Sequence, residues 1–468
     1  MKTLLIPFII ASLITVATAE TRPNIIFVLF DDMGRGQPQS YDPASALRTP
    51  NLDKLASQGM RFTDAHSAAA VCTPTRYGVL TGRYPSRIGQ FDVLKTFSPP
   101  IIPADRMTVA SLLKQNGYAT ACIGKWHLGM NVVGEKSGKK ENIPVGTKTT
   151  DGPNAIGFDY FYGFTHAQNI GTIIEQDQVV ANVEAVENQP MMIKKAVEWI
   201  GQQKKDEPFF LYFPMCPPHE PVVPAPEYVG KSGAQDLVKK DPKYGDWVYQ
   251  GDAMLGQLMD ALEANGLAEN TLIIATADNG AARRAYEPLR DSKRSIYEGG
   301  HRVPYIVRWP GKVKPGSVND ETICLNDLMA TAAEVVGAKL PANAGEDSVS
   351  LLPEFLGTSP TPSRETTVHQ SMAGDLAIRQ GPWKMIFFKN GARELYNLEA
   401  DLSETKDVLA ANAEVAAKLT ALMQGIIERG RSTVGEPQKN EFALTLPNGD
   451  GTAKKKARKK AADDAEEE

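Results

Sequence analysis

The chain has little of several things, and each scarcity narrows its chemistry. Only four cysteines occur in 468 residues: Cys72, Cys122, Cys216 and Cys324. Their wide spacing excludes a small disulfide scaffold and a cysteine-based zinc site. The six histidines form no close sequence cluster, so zinc chemistry has no visible ligand set. Neither sign of charge dominates: 51 Lys and Arg face 56 Asp and Glu, a net of -5. That balance excludes the strongly basic surface of a nucleic-acid binder. After residue 19 no apolar run is long enough to cross a bilayer. There is no Asn-x-Ser/Thr acceptor, which suits a bacterial origin, and there are no internal repeats.

The one long apolar run opens the chain. Lys2 precedes an apolar stretch from Leu4 to Val16, and Ala17-Thr18-Ala19 fits a small-residue cleavage site. Residues 1–19 therefore read as a signal peptide and the product as secreted or periplasmic. No cysteine follows the cleavage site, so no lipid anchor is indicated. The remainder exceeds the length of a single hydrophobic core. We expect a large domain over 20–358, a small one over 359–445 and a disordered charged tail over 446–468. In that tail Lys454 to Lys460 is basic and acids follow, with almost no apolar residues to drive folding.

Short apolar runs alternate with helical patterns, which reads as α/β with a mostly parallel sheet. Strands are expected at Asn24 to Phe30, Tyr118 to Ile123, Pro208 to Phe213, Leu272 to Ala277 and Val303 to Trp309. Helices are expected from Pro50, after Pro74, and over Val109 to Asn116, Trp247 to Asn265 and Leu325 to Val336. After Thr358 the pattern changes to strands at Leu376 to Arg379, Lys384 to Phe388 and Glu394 to Leu398. Asn390-Gly391 is a hairpin signal, and a helix over Asn412 to Glu428 follows.

The acids fall at strand ends. Asp31-Asp32 ends the first strand and Asp278-Asn279 ends a later one. In open parallel sheets the loops at strand carboxyl ends build the site. Either pair alone could cap a helix or shape a turn. Brought together, three carboxylates need a cation between them, and with the Asn279 amide oxygen they form a hard-ligand set. Calcium suits it, magnesium less so.

The most specific signal is Cys72-Thr73-Pro74-Thr75-Arg76, continuing Tyr-Gly-Val-Leu-Thr-Gly-Arg-Tyr-Pro85. Arg76 lies one helical turn beyond Cys72, so both can face one pocket, where the guanidinium suits an oxyanion. Lys125-Trp126-His127 lies in the block Gly117-Tyr-Ala-Thr-Ala-Cys-Ile-Gly-Lys-Trp-His-Leu-Gly129. Lys125 and His127 are two apart, which on an extended segment points both to one side. His219 sits in Pro217-Pro218-His219-Glu220-Pro221, and Lys293 precedes Glu298-Gly299-Gly300-His301-Arg302-Val303-Pro304.

These blocks, spread from Asn24 to Pro304, resemble the type I sulfatases. The stretch Ala377-Ile-Arg-Gln-Gly-Pro-Trp-Lys-Met385 is similar to that family's small domain. The resemblance implies an alkaline-phosphatase-like α/β sandwich with a smaller C-terminal antiparallel sheet and helix. It implies conversion of Cys72 to formylglycine (3-oxoalanine) by a formylglycine-generating enzyme, and a calcium ion held by Asp31, Asp32, Asp278, Asn279 and the modified Cys72. It implies that His127 takes a proton from the second hydroxyl of the hydrated aldehyde and that Lys125 binds sulfate and diol. His219 and Lys293 would lie on the sulfate and leaving-group oxygens. Sulfated carbohydrates are the expected substrates. A phosphate or phosphonate ester hydrolase of the same superfamily and an inactive sulfated-glycan-binding protein are the alternatives. Any of His66, His166, His301 and His369 could touch substrate, a structural role being the default for each, and Cys122 and Cys324 are read as buried free thiols. The loops at Asn131 to Asn154, Asn169 to Asn188 and Ala281 to Arg290 are expected to select the substrate. Arg283, Arg284 and Arg290 would either meet further anionic groups or lie solvated at the surface. The oligomeric state is left open.

Overall fold

The computed structural model describes residues 22–134, 138, 142–234, 237–238, 241–282 and 285–447. The signal-peptide segment, Arg283, Arg284 and all but the first two residues of the charged tail fall outside them. The strands are, in chain order, β1 (Asn24–Asp31), β2 (Met60–His66), β3 (Ala119–Lys125), β4 (Asn131–Val132), β5 (Thr149–Thr150), β6 (Tyr160–Phe164), β7 (Thr172–Glu175) and β8 (Gln178–Asn182). Then come β9 (Phe209–Pro218), β10 (Thr271–Ala277), β11 (Tyr305–Arg308), β12 (Ser317–Cys324), β13 (Thr366–Gln370), β14 (Leu376–Gln380), β15 (Trp383–Phe387) and β16 (Arg393–Asn397). The helices are α1 (Pro50–Gln58), α2 (Cys72–Thr81), α3 (Val109–Gln115), α4 (Ala185–Gly201), α5 (Tyr244–Ala264), α6 (Glu298–His301), α7 (Leu328–Val335), α8 (Leu352–Leu356) and α9 (Ala413–Arg429).

A ten-stranded sheet runs β12-β2-β11-β10-β1-β9-β3-β6-β7-β8. Its centre, β10-β1-β9-β3-β6, is parallel throughout. Every residue of β1, β9 and β10 is buried, as a sheet covered on both faces requires. One helix group, α1, α4 and α5, packs together, and α2, α3 and α7 form another. A second sheet, β13-β14-β15-β16, is antiparallel, and α9 packs on β14 and β15. The expected fold class therefore holds.

Several details differ from expectation. The strand near Val303 is only β11 and runs antiparallel to β10. The helix of the cysteine pentad begins at Cys72 itself, before Pro74, because proline is tolerated in a first turn. The expected helix over Leu325 to Val336 splits into a 3-10 turn, Leu325–Asp327, and α7. At Asn390-Gly391 only Gly391 has a positive φ, 89°, so the connection is longer than a two-residue turn. Its Phe388–Ala392 backbone bond closes it. Strands β2, β6–β8, β12 and β13 and helix α4 were not foreseen. All four cysteines are buried and free, as read for Cys122 and Cys324.

Candidate active site

Five adjacent parallel strands end on one edge of the sheet. The edge receives Asp278-Asn279 from β10, Asp31-Asp32 from β1, His219 after β9, Lys125 and His127 from β3, and Thr165-His166 after β6. The register sets the depths: Ala277 pairs with Phe30 and Asp31 with Pro218. Distant sequence blocks meet because their strands share direction and edge.

Helix α2 points its first residue into this edge. The Cys72 Sγ lies 3.2 Å from Asp31 Oδ1 and 3.9 Å from Asp32 Oδ1, and Lys293 Nζ is 3.5 Å from the same sulfur. Burial, then Asp278 and Asp31, push the Cys72 thiol well above its ordinary range. The unmodified sulfur is thus held protonated and is a poor nucleophile.

Asp31, Asp32, Asp278 and Asn279 are all buried. Arg76 donates through Nε and Nη2 to Asp278 Oδ2, at 3.1 and 2.7 Å, and through Nη1 to the Lys125 carbonyl. Its fork is thereby spent on orienting a carboxylate and the end of β3. Lys125 Nζ donates to Asp31, and Lys293 Nζ lies 2.6 Å from Asp32 Oδ1. Burial competes with these cations at Asp31 and Asp32, and the cations prevail, keeping both below the usual carboxylate range. Asp278 goes the other way: burial and the nearby Asp31 raise it to about 7. Asn279 Nδ2 donates to Asp32 Oδ1 at 2.7 Å, while its Oδ1 is buried with no partner. A buried bare amide oxygen among three buried carboxylates fits a hard cation. Asp31, Asp32, Cys72 and His219 also bring ligand atoms within 4.8 Å of one another.

His127 reaches the site differently from the expectation. It is not in an extended segment: β3 ends at Lys125, and His127 has a left-handed φ of 54°. Its N–H bonds the Thr165 carbonyl, and its own carbonyl accepts from Thr73 Oγ1. Its Nε2 is 3.0 Å from the Leu94 carbonyl, so Nε2 carries the ring proton. That leaves Nδ1 bare, buried and without a partner. Burial, then Lys125, hold the imidazole well below its ordinary range, so it is a vacant proton acceptor.

His219 Nδ1 donates to the Glu220 carbonyl, which turns Nε2 toward Asp32, 3.8 Å from Oδ2. The side chains of His219 and Lys293 are 17 % and 10 % exposed, while those of Arg76 and Lys125 are closed off. Entry to the pocket therefore runs past His219 and Lys293.

Among the described residues the sequence reading missed Thr73, the Leu94 carbonyl and Thr165. His166 lies edge-on to His127, with ring centroids 4.5 Å apart. The aromatic run Tyr160 to Phe164 was a usable strand signal that would have led to Thr165 and His166. Arg290 is half-buried and already engaged within the chain. It stacks 3.7 Å over Tyr297 and donates to the Glu404 carbonyl. His66, His301 and His369 gather elsewhere, in a buried cluster between the two sheets. Zinc there is disfavoured, because His301 and His369 stack in parallel and their ring nitrogens have protein partners.

Buried carboxylates, three fixed cations and a vacant imidazole at parallel strand ends define a hydrolase of anionic esters. The chain belongs to the sulfatase family: the family model described as Sulfatase matches residues 23–338. The model of the N-sulphoglucosamine sulphohydrolase C-terminal region matches residues 290–429. An N-acetylgalactosamine-6-O-sulfatase of Bacteroides thetaiotaomicron is 31 % identical, over 87 % of this chain and 94 % of the relative. Arylsulfatase A of Homo sapiens is 33 % identical, over 79 % of this chain and 76 % of the relative. A solved structure from work on glycosaminoglycan metabolism in Bacteroides thetaiotaomicron superimposes with a TM-score of 0.78 at 30 % identity, covering 87 % of this chain and 99 % of that one. The enzyme is a sulfatase, and its fold is alkaline-phosphatase-like.

Proposed function

We propose that the chain is an exported sulfatase that releases inorganic sulfate from a sulfated carbohydrate, with Cys72 matured to formylglycine and one calcium ion bound. The observation that carries this is the placement of Cys72: first in α2, against Asp31, Asp32 and Lys293, with its thiol suppressed. An unreactive sulfur in the nucleophile's place suits a residue meant to be converted. The division into 20–358 and 359–445 belongs to the same proposal.

The hydrated aldehyde would supply a nucleophilic hydroxyl and a second hydroxyl that, once deprotonated, expels sulfate. Asp31, Asp32, Asp278 and Asn279, with the matured residue 72, would hold calcium, which supplies positive charge for the developing anion. The chain's other groups have separable tasks. Arg76 fixes Asp278. Lys125 and Lys293 offer preorganised charge to the sulfate oxygens. His127 Nδ1 takes the proton from the second hydroxyl.

Either His219 or Lys293 would donate the proton to the leaving alcohol. Burial lowers the His219 pKa, so its Nε2 must first bind a proton, whereas at Lys293 burial is outweighed by Asp32, Cys72 and Asp31, which keep its ammonium protonated. The sulfated-carbohydrate assignment draws on the N-acetylgalactosamine-6-O-sulfatase relative and on a pocket that opens past His219 and Lys293.

The test is ion release by protein co-produced with a formylglycine-generating enzyme and supplied with calcium. The panel holds aryl sulfate, aryl phosphate and sulfated sugars of defined position, and mass analysis of the Cys72 peptide verifies maturation. Sulfate release favouring one sugar position is expected. Dominant phosphate release, or no release from fully matured protein, overturns the reading.

A further inference from the structure

Of the five parallel strands that end at the site, four deliver groups with an assigned task. The fifth, β6, delivers His166, and three observations give it one.

The first is position. β6 pairs with β3 through Lys125–Phe164, and the two chains stay together beyond the strands. Trp126 N–H bonds the Phe164 carbonyl and His127 N–H bonds the Thr165 carbonyl, which sets His166 beside His127. The two rings meet edge to face at 86°. The second is tautomer. The Gln168 backbone N–H donates to His166 Nδ1 at 2.9 Å, as the cap of the 3-10 turn Ala167–Asn169. Nδ1 therefore bears no proton, and the neutral ring carries it on Nε2. No partner for that Nε2–H occurs among the described residues. The third is charge. Burial, then Lys125, push His166 down to about 3; His219 and Lys293 add to this and Asp31 opposes it. The ring is close to the groups that would surround a bound anion, yet stays uncharged at neutral pH.

We infer that His166 Nε2–H is a neutral hydrogen-bond donor to a non-bridging oxygen of the bound sulfate, a catalytic contact that adds to Lys125 and Lys293. A neutral donor grips the anion without adding another charge to the pocket. The inference rests on the sulfatase mechanism proposed above.

Two variants separate the contact from the ring's structural role. His166→Asn keeps an oxygen that can cap Gln168 but loses the distal N–H. His166→Gln places an amide N–H near the Nε2 position. In matured, calcium-loaded full-length protein, His166→Asn should lower kcat/KM by roughly 10- to 100-fold on both a simple aryl sulfate and a sulfated sugar. His166→Gln should recover part of that loss, and both should melt near the wild type. Equal loss in both variants would make the ring structural, loss on sugars alone would move the contact to a sugar hydroxyl, and no loss would remove it; each overturns the inference. Should wild-type protein hydrolyse no sulfate ester, calorimetry with inorganic sulfate still decides. Roughly tenfold weaker binding to His166→Asn supports the contact while the hydrolytic reading fails. Equal binding, or no binding to the wild type, overturns the contact.

Discussion

Lys293 touches both an acid that would hold the cation and the sulfur that would become the nucleophile. Its Nζ lies 2.8 Å from Asp32 Oδ2 and 3.5 Å from Cys72 Sγ. Removing it leaves Asp32 without its cation and the sulfate without a donor. Lys293→Ala should therefore cost about 10²-fold or more in kcat, as for other lost electrostatic donors, measured by sulfate release. Cys72→Ala should abolish turnover in the same assay, because among the described residues no other thiol or hydroxyl is hydrogen-bonded to Asp31 or Asp32. His127 gives a pH prediction. Its bare Nδ1 must accept a proton, and its pKa lies well below the ordinary imidazole value of about 6.5. The acid limb of kcat should accordingly lie below pH 6.5, with the rate falling as pH drops through it. An acid limb near or above 6.5 that His127→Gln leaves in place would show that another group is the base. At this scale the sequence was readable where chemistry and motif coincide, as at Cys72, Asp31 and Asp278. It was unreadable where conformation decides, because the left-handed turn that aims His127 and the amide that fixes His166 leave no mark in residue types.

The helices and strands show why some elements were legible. β1 and β10 are apolar on both faces and end in acids, so their runs declare both burial and site. β12, Ser317–Cys324, is an edge strand of largely polar, partly exposed residues and has no apolar signature. β2 buries Asp64 and His66 in place of apolar residues, which breaks its alternation. α4 carries Pro190 in its first turns, a residue that reads as a break. Helix α1 was placed correctly from Thr49-Pro50-Asn51, yet Thr49 is not its side-chain cap. Asp252, on α5, accepts from the backbone N–H groups of Asn51 and Leu52 and from Asn51 Nδ2. A long-range carboxylate thus replaces the local cap and ties α1 to α5. Asp252→Ala should lower stability by about 1–3 kcal/mol, since it orphans buried donors at a helix N-terminus. Denaturant unfolding measures it, and an unchanged midpoint would mean that water replaces the carboxylate.

Across the whole molecule the two sheets are joined by a polar seam. His66 Nε2 donates to Asp64 Oδ1 at 2.8 Å, His66 and His301 share a proton between their Nδ1 atoms at 3.1 Å, and Lys384 Nζ donates to His301 Nε2 at 3.1 Å. His369, from β13, stacks on His301 at 4.1 Å and donates to the Ser67 carbonyl. Glu298, Glu404, Arg302 and Arg379 surround them. Burial holds His66, His301 and His369 below their ordinary range. The unfolded chain therefore binds protons below about pH 6.5 that the folded one refuses, so stability is full above that pH and falls beneath it. Each histidine contributes a slope of up to about 1.4 kcal/mol per pH unit. Glu404, raised to about 7 by burial, opposes them by gaining a proton in the fold as pH drops. Asp64 and Glu298 lie well below the usual carboxylate range and lose their contribution only in stronger acid. The melting temperature should thus decline from pH 7.5 to 5.5. Because the other titrating groups are common to both proteins, His369→Asn should flatten that decline whatever its effect on the absolute value. Parallel curves for wild type and variant would show that the seam does not set the acid stability of this fold.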